Sequence, residues 1–220
     1  LILVFLFSAC QEAKQANISE TKSVSAVTPF SLDELQHRTF IFFWEQVDAN
    51  FQTQDRYPTL NFSSTAATGF GLASYLVGIE RNFITRAEAA NRVLKTLQVL
   101  KNLPKGEEPS GVSGYKGFFY HFLDLKNANR YKQVELSSID TGLLMAGVLS
   151  AQSFFDKKNK TENEIRELAD FLYRRVEWDW MLNEENKLSM GWHPEKGFIK
   201  NDWYGYNEAM ILLVLAIGSP

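Results

Sequence analysis

Cysteine is almost absent: Cys10 is the only one among 220 residues. This excludes an internal disulfide and any cysteine-rich zinc site. A basic surplus is missing too. Lys and Arg number 23 against 26 Asp and Glu, for a formal net charge of −3 and a pI of about 5.7. A general nucleic-acid binder is usually basic, so that partner is not expected. Only three histidines occur, and no H-E-x-x-H contains any of them. There is no G-x-S-x-G elbow and no phosphate-binding glycine loop. Nothing in this inventory calls for a metal or a cofactor. The apolar run at the start, Leu1 to Phe7, is too short to span a bilayer as a helix.

The chain has instead the composition of a globular domain, 45% hydrophobic and 22% charged. Its length suits one domain of ordinary size with a real core. Aromatics reach 14%, with 17 Phe, 8 Tyr and 5 Trp. Flat aromatic faces suit sugar-binding clefts, and a Phe-rich helical core explains the same number.

The first ten residues end Ser8-Ala9-Cys10 behind an apolar stretch without an initiator Met. They read as an incomplete signal peptide with a lipobox, in which Cys10 carries the lipid; the alternative is a plain signal peptide with a chance Cys. Residues 11–30 are polar and read as a flexible linker. The expectation is an exported protein, periplasmic or at the cell surface, lipid-anchored to a bacterial membrane. The folded domain is then 31–220. Ala209 to Ile217 is almost wholly apolar and stands close to Gly218-Ser219-Pro220. A helix apolar all round needs neighbours on every side, so the sequence reads as a piece truncated at both ends.

Hydrophobic spacing and start signals predict six helices, over about 31–48, 64–80, 85–101, 137–155, 161–176 and 206–217. S-L-D-E, T-R-A-E and T-E-N-E read as capping boxes at Ser31, Thr85 and Thr161. Glu88 and Arg92 are spaced as an i,i+4 pair. The first, third and fifth helices are amphipathic. The second, fourth and sixth are rich in small and apolar residues. Short connections alternate with long ones. Outer amphipathic helices around an inner apolar ring satisfy this pattern, with all long loops on one face. That is an all-α fold, an (α/α)6 toroid present as roughly its N-terminal half, three helix pairs. A helical solenoid competes, but no fixed-period repeat is visible.

The unusual polar residues sit in the long connections or at the starts of the fourth and sixth helices. In G-F-F-Y-H-F-L-D, His121 is either a satisfied histidine in an aromatic plug or a sugar-binding side chain. In E-L-S-S-I-D-T, Asp140 is either a capping carboxylate or half of an acid pair with Glu135. Glycoside hydrolysis needs two carboxyl groups, one protonated and one ionised. In W-H-P-E-K-G-F…N-D-W-Y-G-Y-N-E-A-M, Trp192, Trp203, Tyr204 and Tyr206 accompany Glu195, Asp202 and Glu208. Glu208 is either a first-turn dipole partner or a buried acid of raised pKa.

The stretches T-A-A-T-G-F-G-L-A, E-A-A-N-R-V-L-K-T-L, G-F-F-Y-H-F-L-D, E-L-S-S-I-D-T-G-L-L-M-A-G and W-Y-G-Y-N-E-A-M, followed by G-S-P, resemble the bacterial glycoamylase-like family. That family includes endo-β-1,2-glucanases and a region of cyclic β-1,2-glucan synthases. The resemblance implies an (α/α)6 toroid and a glycoside hydrolase acting on β-glucan, most of all β-1,2-glucan, by two-carboxylate acid/base chemistry. It implies Glu135, Asp140 and Glu208 as catalytic candidates. It implies His121, Asp124, Trp192, Trp203 and Tyr206 as substrate-binding candidates, with an oligo- or polysaccharide as partner. Family members continue beyond G-S-P, so the second half of the cleft is expected elsewhere. The runner-up is a non-catalytic glycan-binding lipoprotein with the same aromatic cleft. A helical scaffold and a polysaccharide lyase also suit the helices.

Overall fold

A computed structural model describes residues 31–58 and 61–220. The expected signal segment, Cys10 and the linker up to residue 30 lie outside the described residues.

The helices are α1 (Leu32–Glu45), α2 (Thr65–Glu80), α3 (Arg86–Asn102), α4 (Ser138–Phe154), α5 (Lys160–Arg174) and α6 (Met210–Ile217). Local chemistry sets their starts. Ser64 caps α2 by accepting from Ala67 N–H, and Ser137 caps α4 by accepting from Asp140 N–H. Thr85 and Glu88 form a full capping box on α3, which satisfies two otherwise orphaned N–H groups.

Three details differ from expectation. Asn159, not Thr161, caps α5 by accepting from the Glu162 N–H, and Glu164, the other member of the expected box, accepts instead from Gln98 Nε2 at 2.7 Å. Glu88 spends its carboxylate on the Thr85 cap. Arg92 therefore reaches Trp44, donating to its carbonyl at 3.1 Å and lying over its ring. Finally, α6 begins at Met210 rather than Tyr206, without a side-chain cap on the helix itself.

The amphipathic stripes point inward as predicted. Val93, Leu97 and Leu100 of α3 and Ile165, Leu168 and Leu172 of α5 are buried in one continuous core. Burying each such side chain contributes about 1.5–3 kcal/mol. The inner helices approach far more closely. A Cβ placed on Gly69 of α2 would lie 2.4 Å from the Leu143 carbonyl oxygen of α4, and one on Gly147 would lie 2.2 Å from the Gly69 oxygen. Only glycine allows the two backbones to pack so tightly. One turn into α4, the same test at Gly142 meets Leu212 of α6 at 3.1 Å. The starts of α4 and α6 therefore lie side by side.

Three helix pairs make this roughly half of an (α/α)6 toroid, as expected. Short turns link α2 to α3 and α4 to α5. The long connections are not irregular loops. Their strands β1 (Phe62–Ser64) and β4 (Phe122–Asp124) form one antiparallel pair. Strands β2 (Gly114–Tyr115), β3 (Phe118–Tyr120), β5 (Leu136–Ser137), β6 (Gly191–His193) and β7 (Gly197–Phe198) form an antiparallel sheet in the order β2-β3-β5-β6-β7. Strand β1 runs straight into α2 and β5 into α4, so the sheets sit at the inner-helix N-termini.

Candidate active site

The sheet register builds the site. Tyr120 pairs with Leu136, and Leu136 with Trp192. One step further along these antiparallel ladders, His121 stands opposite Glu135 and Glu135 opposite His193. The His121 N–H donates to the Glu135 carbonyl at 3.0 Å, continuing the pairing. Residues in such a row share one face of the sheet. Side-chain contact follows: His121 Nδ1 lies 2.7 Å from Glu135 Oε1. The opposite ring nitrogen, Nε2, lies 3.7 Å from Asp140 Oδ1. One imidazole thus stands between two carboxyl groups.

Asp140 is held from its own helix. Its Oδ2 accepts from Ser137 Oγ at 2.5 Å, while Ser137 Oγ accepts from Asp140 N–H. The backbone of Ala66, at the start of α2, also favours the ionised carboxylate. The capping role and the site role therefore coexist, one oxygen each. The His121 and Glu135 side chains are 34% and 28% exposed, open to solvent on one side, and that of Asp140 is 9% exposed.

The electrostatics push the three groups apart. Burial opposes charge on His121, but the hydrogen bond to Glu135 and the charges of Asp140, Glu135 and Asp55 outweigh it and raise its pKa. Burial likewise opposes charge on Glu135. The hydrogen bond and charge of His121, its own backbone and the charge of His193 outweigh that and lower its pKa. For Asp140 burial wins over His121 and Ser137, and its pKa rises. Divergent shifts among adjacent groups mark proton-handling sites.

The other predicted residues separate. Trp203 donates from Nε1 to Ser138 Oγ at 2.9 Å, tying its loop to the start of α4. Glu208 is exposed in the turn just before α6 and is not hydrogen-bonded to the His121 cluster. The α4–α6 contact nevertheless sets that turn at the same end of the inner helices as Asp140. Tyr206 is 92% exposed. Asp124 organises its own turn, accepting from the Lys126 and Asn127 N–H groups. Trp192 is buried, packed against Tyr115 and Trp180, so its face belongs to the core rather than to an open cleft.

Sequence reasoning passed over Arg130 and His193. The Arg130 side chain is fully buried and bidentate on Glu195, at 2.6 and 3.2 Å. No local pattern announces either: His193 enters through the β5–β6 register, whereas Arg130, bridged to Leu123, reaches it only through its side chain. Among the described residues no group of His, Cys, Asp and Glu is placed to hold a metal ion.

Half an α/α toroid is a fold shared with solved carbohydrate-processing proteins. Its relatives agree. The exo β-1,2-glucooligosaccharide sophorohydrolase of Parabacteroides distasonis is 31% identical over 92% of the chain. The solved β-1,2-glucanase of the same organism has a TM-score of 0.74 at 30% identity over 87% of the chain. A candidate glucoamylase from Bacteroides uniformis has a TM-score of 0.76 at 27% identity over 87% of the chain. The chain spans 29% of the curated relative, and 28% and 48% of the two solved chains. No family profile matches it. The chain is a homologue of β-1,2-glucanase, sophorohydrolase and glycoamylase-like proteins, which are glycoside hydrolases.

Proposed function

We propose that this chain is part of an exported glycoside hydrolase that cleaves β-1,2-glucan by acid/base chemistry between two carboxyl groups. The observation that carries the reading is His121 held between Glu135 and Asp140 with divergent pKa shifts. The names of the relatives supply the linkage.

An imidazole already fills the space between Glu135 and Asp140, so a sugar ring does not lie between those two. They form one side of the reaction, a network that sets the charge of a single reacting carboxyl. The second carboxyl comes from another segment, and Glu208, exposed at the same end of the inner helices, is the candidate. In the hydrolysis, water gives a proton to the basic carboxylate as its oxygen bonds to the anomeric carbon. The glycosidic C–O bond breaks, and the leaving oxygen takes the proton of the acidic carboxyl. Asp124, Trp203 and Tyr206 remain substrate-binding candidates, with Trp203 best placed beside α4. Cys10 is the proposed lipid carrier.

Release of reducing sugar from β-1,2-glucan, but not from β-1,3-glucan or starch, tests the reading. Glu208→Gln and Glu135→Gln should each lower turnover by about 10²–10⁴-fold if they carry proton transfer. Tight binding of intact oligosaccharide without cleavage would favour the glycan-binding alternative. Mass spectrometry of the exported protein tests the lipid on Cys10.

A further inference from the structure

We propose that Arg130 locks His193 as its Nε2–H tautomer and thereby makes it a hydrogen-bond donor to a hydroxyl oxygen of the bound glycan. This second step rests on the hydrolase reading; the first does not.

The lock follows from donor and acceptor chemistry. A guanidinium has N–H donors and no acceptor. Arg130 Nη2 lies 3.3 Å from His193 Nδ1, so Nδ1 must present its lone pair. The ring proton then resides on Nε2.

Arg130 cannot easily turn away. Its Nε donates to the Val134 carbonyl at 2.7 Å and Nη1 to the Pro109 carbonyl at 3.0 Å. Both terminal nitrogens reach Glu195, and the guanidinium lies over the Tyr120 ring at 4.8 Å. Val134 immediately precedes Glu135, so the same arginine steadies the strand that carries the carboxylate.

His193 faces Glu135 across the β5–β6 ladder, on the side opposite His121. Glu135 thus stands between two histidines of different kind: one shares a proton with it, the other offers a fixed donor. The charged groups around His193 are Arg130 and Lys196, which oppose its protonation, and Glu135 and Glu195, which favour it. Burial and Arg130 prevail, and its pKa falls below the ordinary value. The ring is half-buried, which leaves part of it open to a ligand. A neutral donor suits a hydroxyl oxygen, whose lone pairs accept while its own proton is free to bond elsewhere.

Long-range ¹H–¹⁵N spectra of the chain test the lock directly, since only His37, His121 and His193 contribute. The His193→Gln variant assigns the signal. The expected result at pH 7 is a protonated Nε2 and an unprotonated Nδ1 at His193. An Nδ1–H tautomer or a charged ring there overturns the lock. Titration of the whole protein that contains this chain with a β-1,2-linked glucooligosaccharide tests the donor role. His193→Phe should weaken binding about tenfold, with His193→Gln, which keeps an N–H donor, closer to the unaltered chain. Unchanged binding by His193→Phe overturns the role of His193 alone. Failure of the whole protein that contains the unaltered chain to bind overturns that role and the hydrolase reading together, with the lock judged separately by its spectrum.

Discussion

His121 and Glu135 meet at 2.7 Å because β3 and β5 set them opposite each other, fourteen residues apart in sequence. A helix start supplies the third member. Asp140 reaches the far ring nitrogen from the first turn of α4, with one oxygen already committed to the Ser137 cap. The cluster is therefore anchored on a strand ladder and a helix N-terminus at once. A group anchored in this way holds its geometry better than one on a free loop.

Removing the carboxylate from this pair should change the histidine. His121 has a raised pKa in the folded chain. The stability it contributes is fully present below its unfolded pKa and is lost as pH rises through the folded value. Glu135→Gln keeps the shape but not the charge. The His121 pKa should fall in that variant, and the loss of stability on raising the pH through the His121 titration should shrink. NMR titration and thermal melts from pH 5 to 8 read both. A His121 titration identical in the two proteins contradicts the pairing.

The Arg86–Glu162 pair offers a stability test away from the site. Arg86 donates to both oxygens of Glu162, at 3.0 and 2.8 Å, and the Glu162 side chain is 4% exposed. The Arg86 hydrogen bonds hold its pKa down at about 2. A depressed carboxylate stabilises above its unfolded pKa, and that stability is lost as pH falls through the folded value. Glu162→Gln should destabilise by about 2 kcal/mol at pH 7, because the partly exposed Arg86 loses its charge-assisted hydrogen bonds while keeping Asp156 and the Phe154 carbonyl. The gap between variant and parent should narrow below about pH 4, as Glu162 begins to protonate in the unfolded parent but not yet in the folded one. Chemical denaturation at pH 7 and pH 3 measures both. A gap that stays constant shows that the carboxylate charge is not what stabilises.

Gly69→Ala tests the α2–α4 contact. The added methyl would meet the Leu143 carbonyl and the Leu144 Cα, both backbone atoms. Rotamer changes cannot relieve such a clash, so the helices must part. A loss of about 3 kcal/mol or more is expected, at or beyond the upper end for overpacking. Gly197→Ala is a control for the loss of a glycine as such: its φ is +78° and nothing stands near its missing Cβ. That variant should be strained only locally and lose about 1 kcal/mol. Equal losses in the two variants would show that helix packing is not responsible.

Much of the helical framework was legible in the sequence. The periodicity of α3 and α5, the cap at Thr85 and the alternation of short and long connections all act between near neighbours, so the residues themselves announce them. The end of α1 and the start of α6 were misplaced by three and four residues at the ends where no cap signal punctuates the chain. The strands were almost illegible, since most are two or three residues long and have too few positions to display a period of two.

Composition and local pattern by themselves determined an α/α architecture, the aromatic wealth and the acids that deserved suspicion. Tertiary structure alone decided which of those acids share a histidine, that Trp192 packs inward, and that Arg130 and His193 join the site. The reason is range. A helix face or a cap depends on residues three or four apart, whereas the His121–Glu135–His193 row exists only where strands distant along the chain settle into one hydrogen-bonded register.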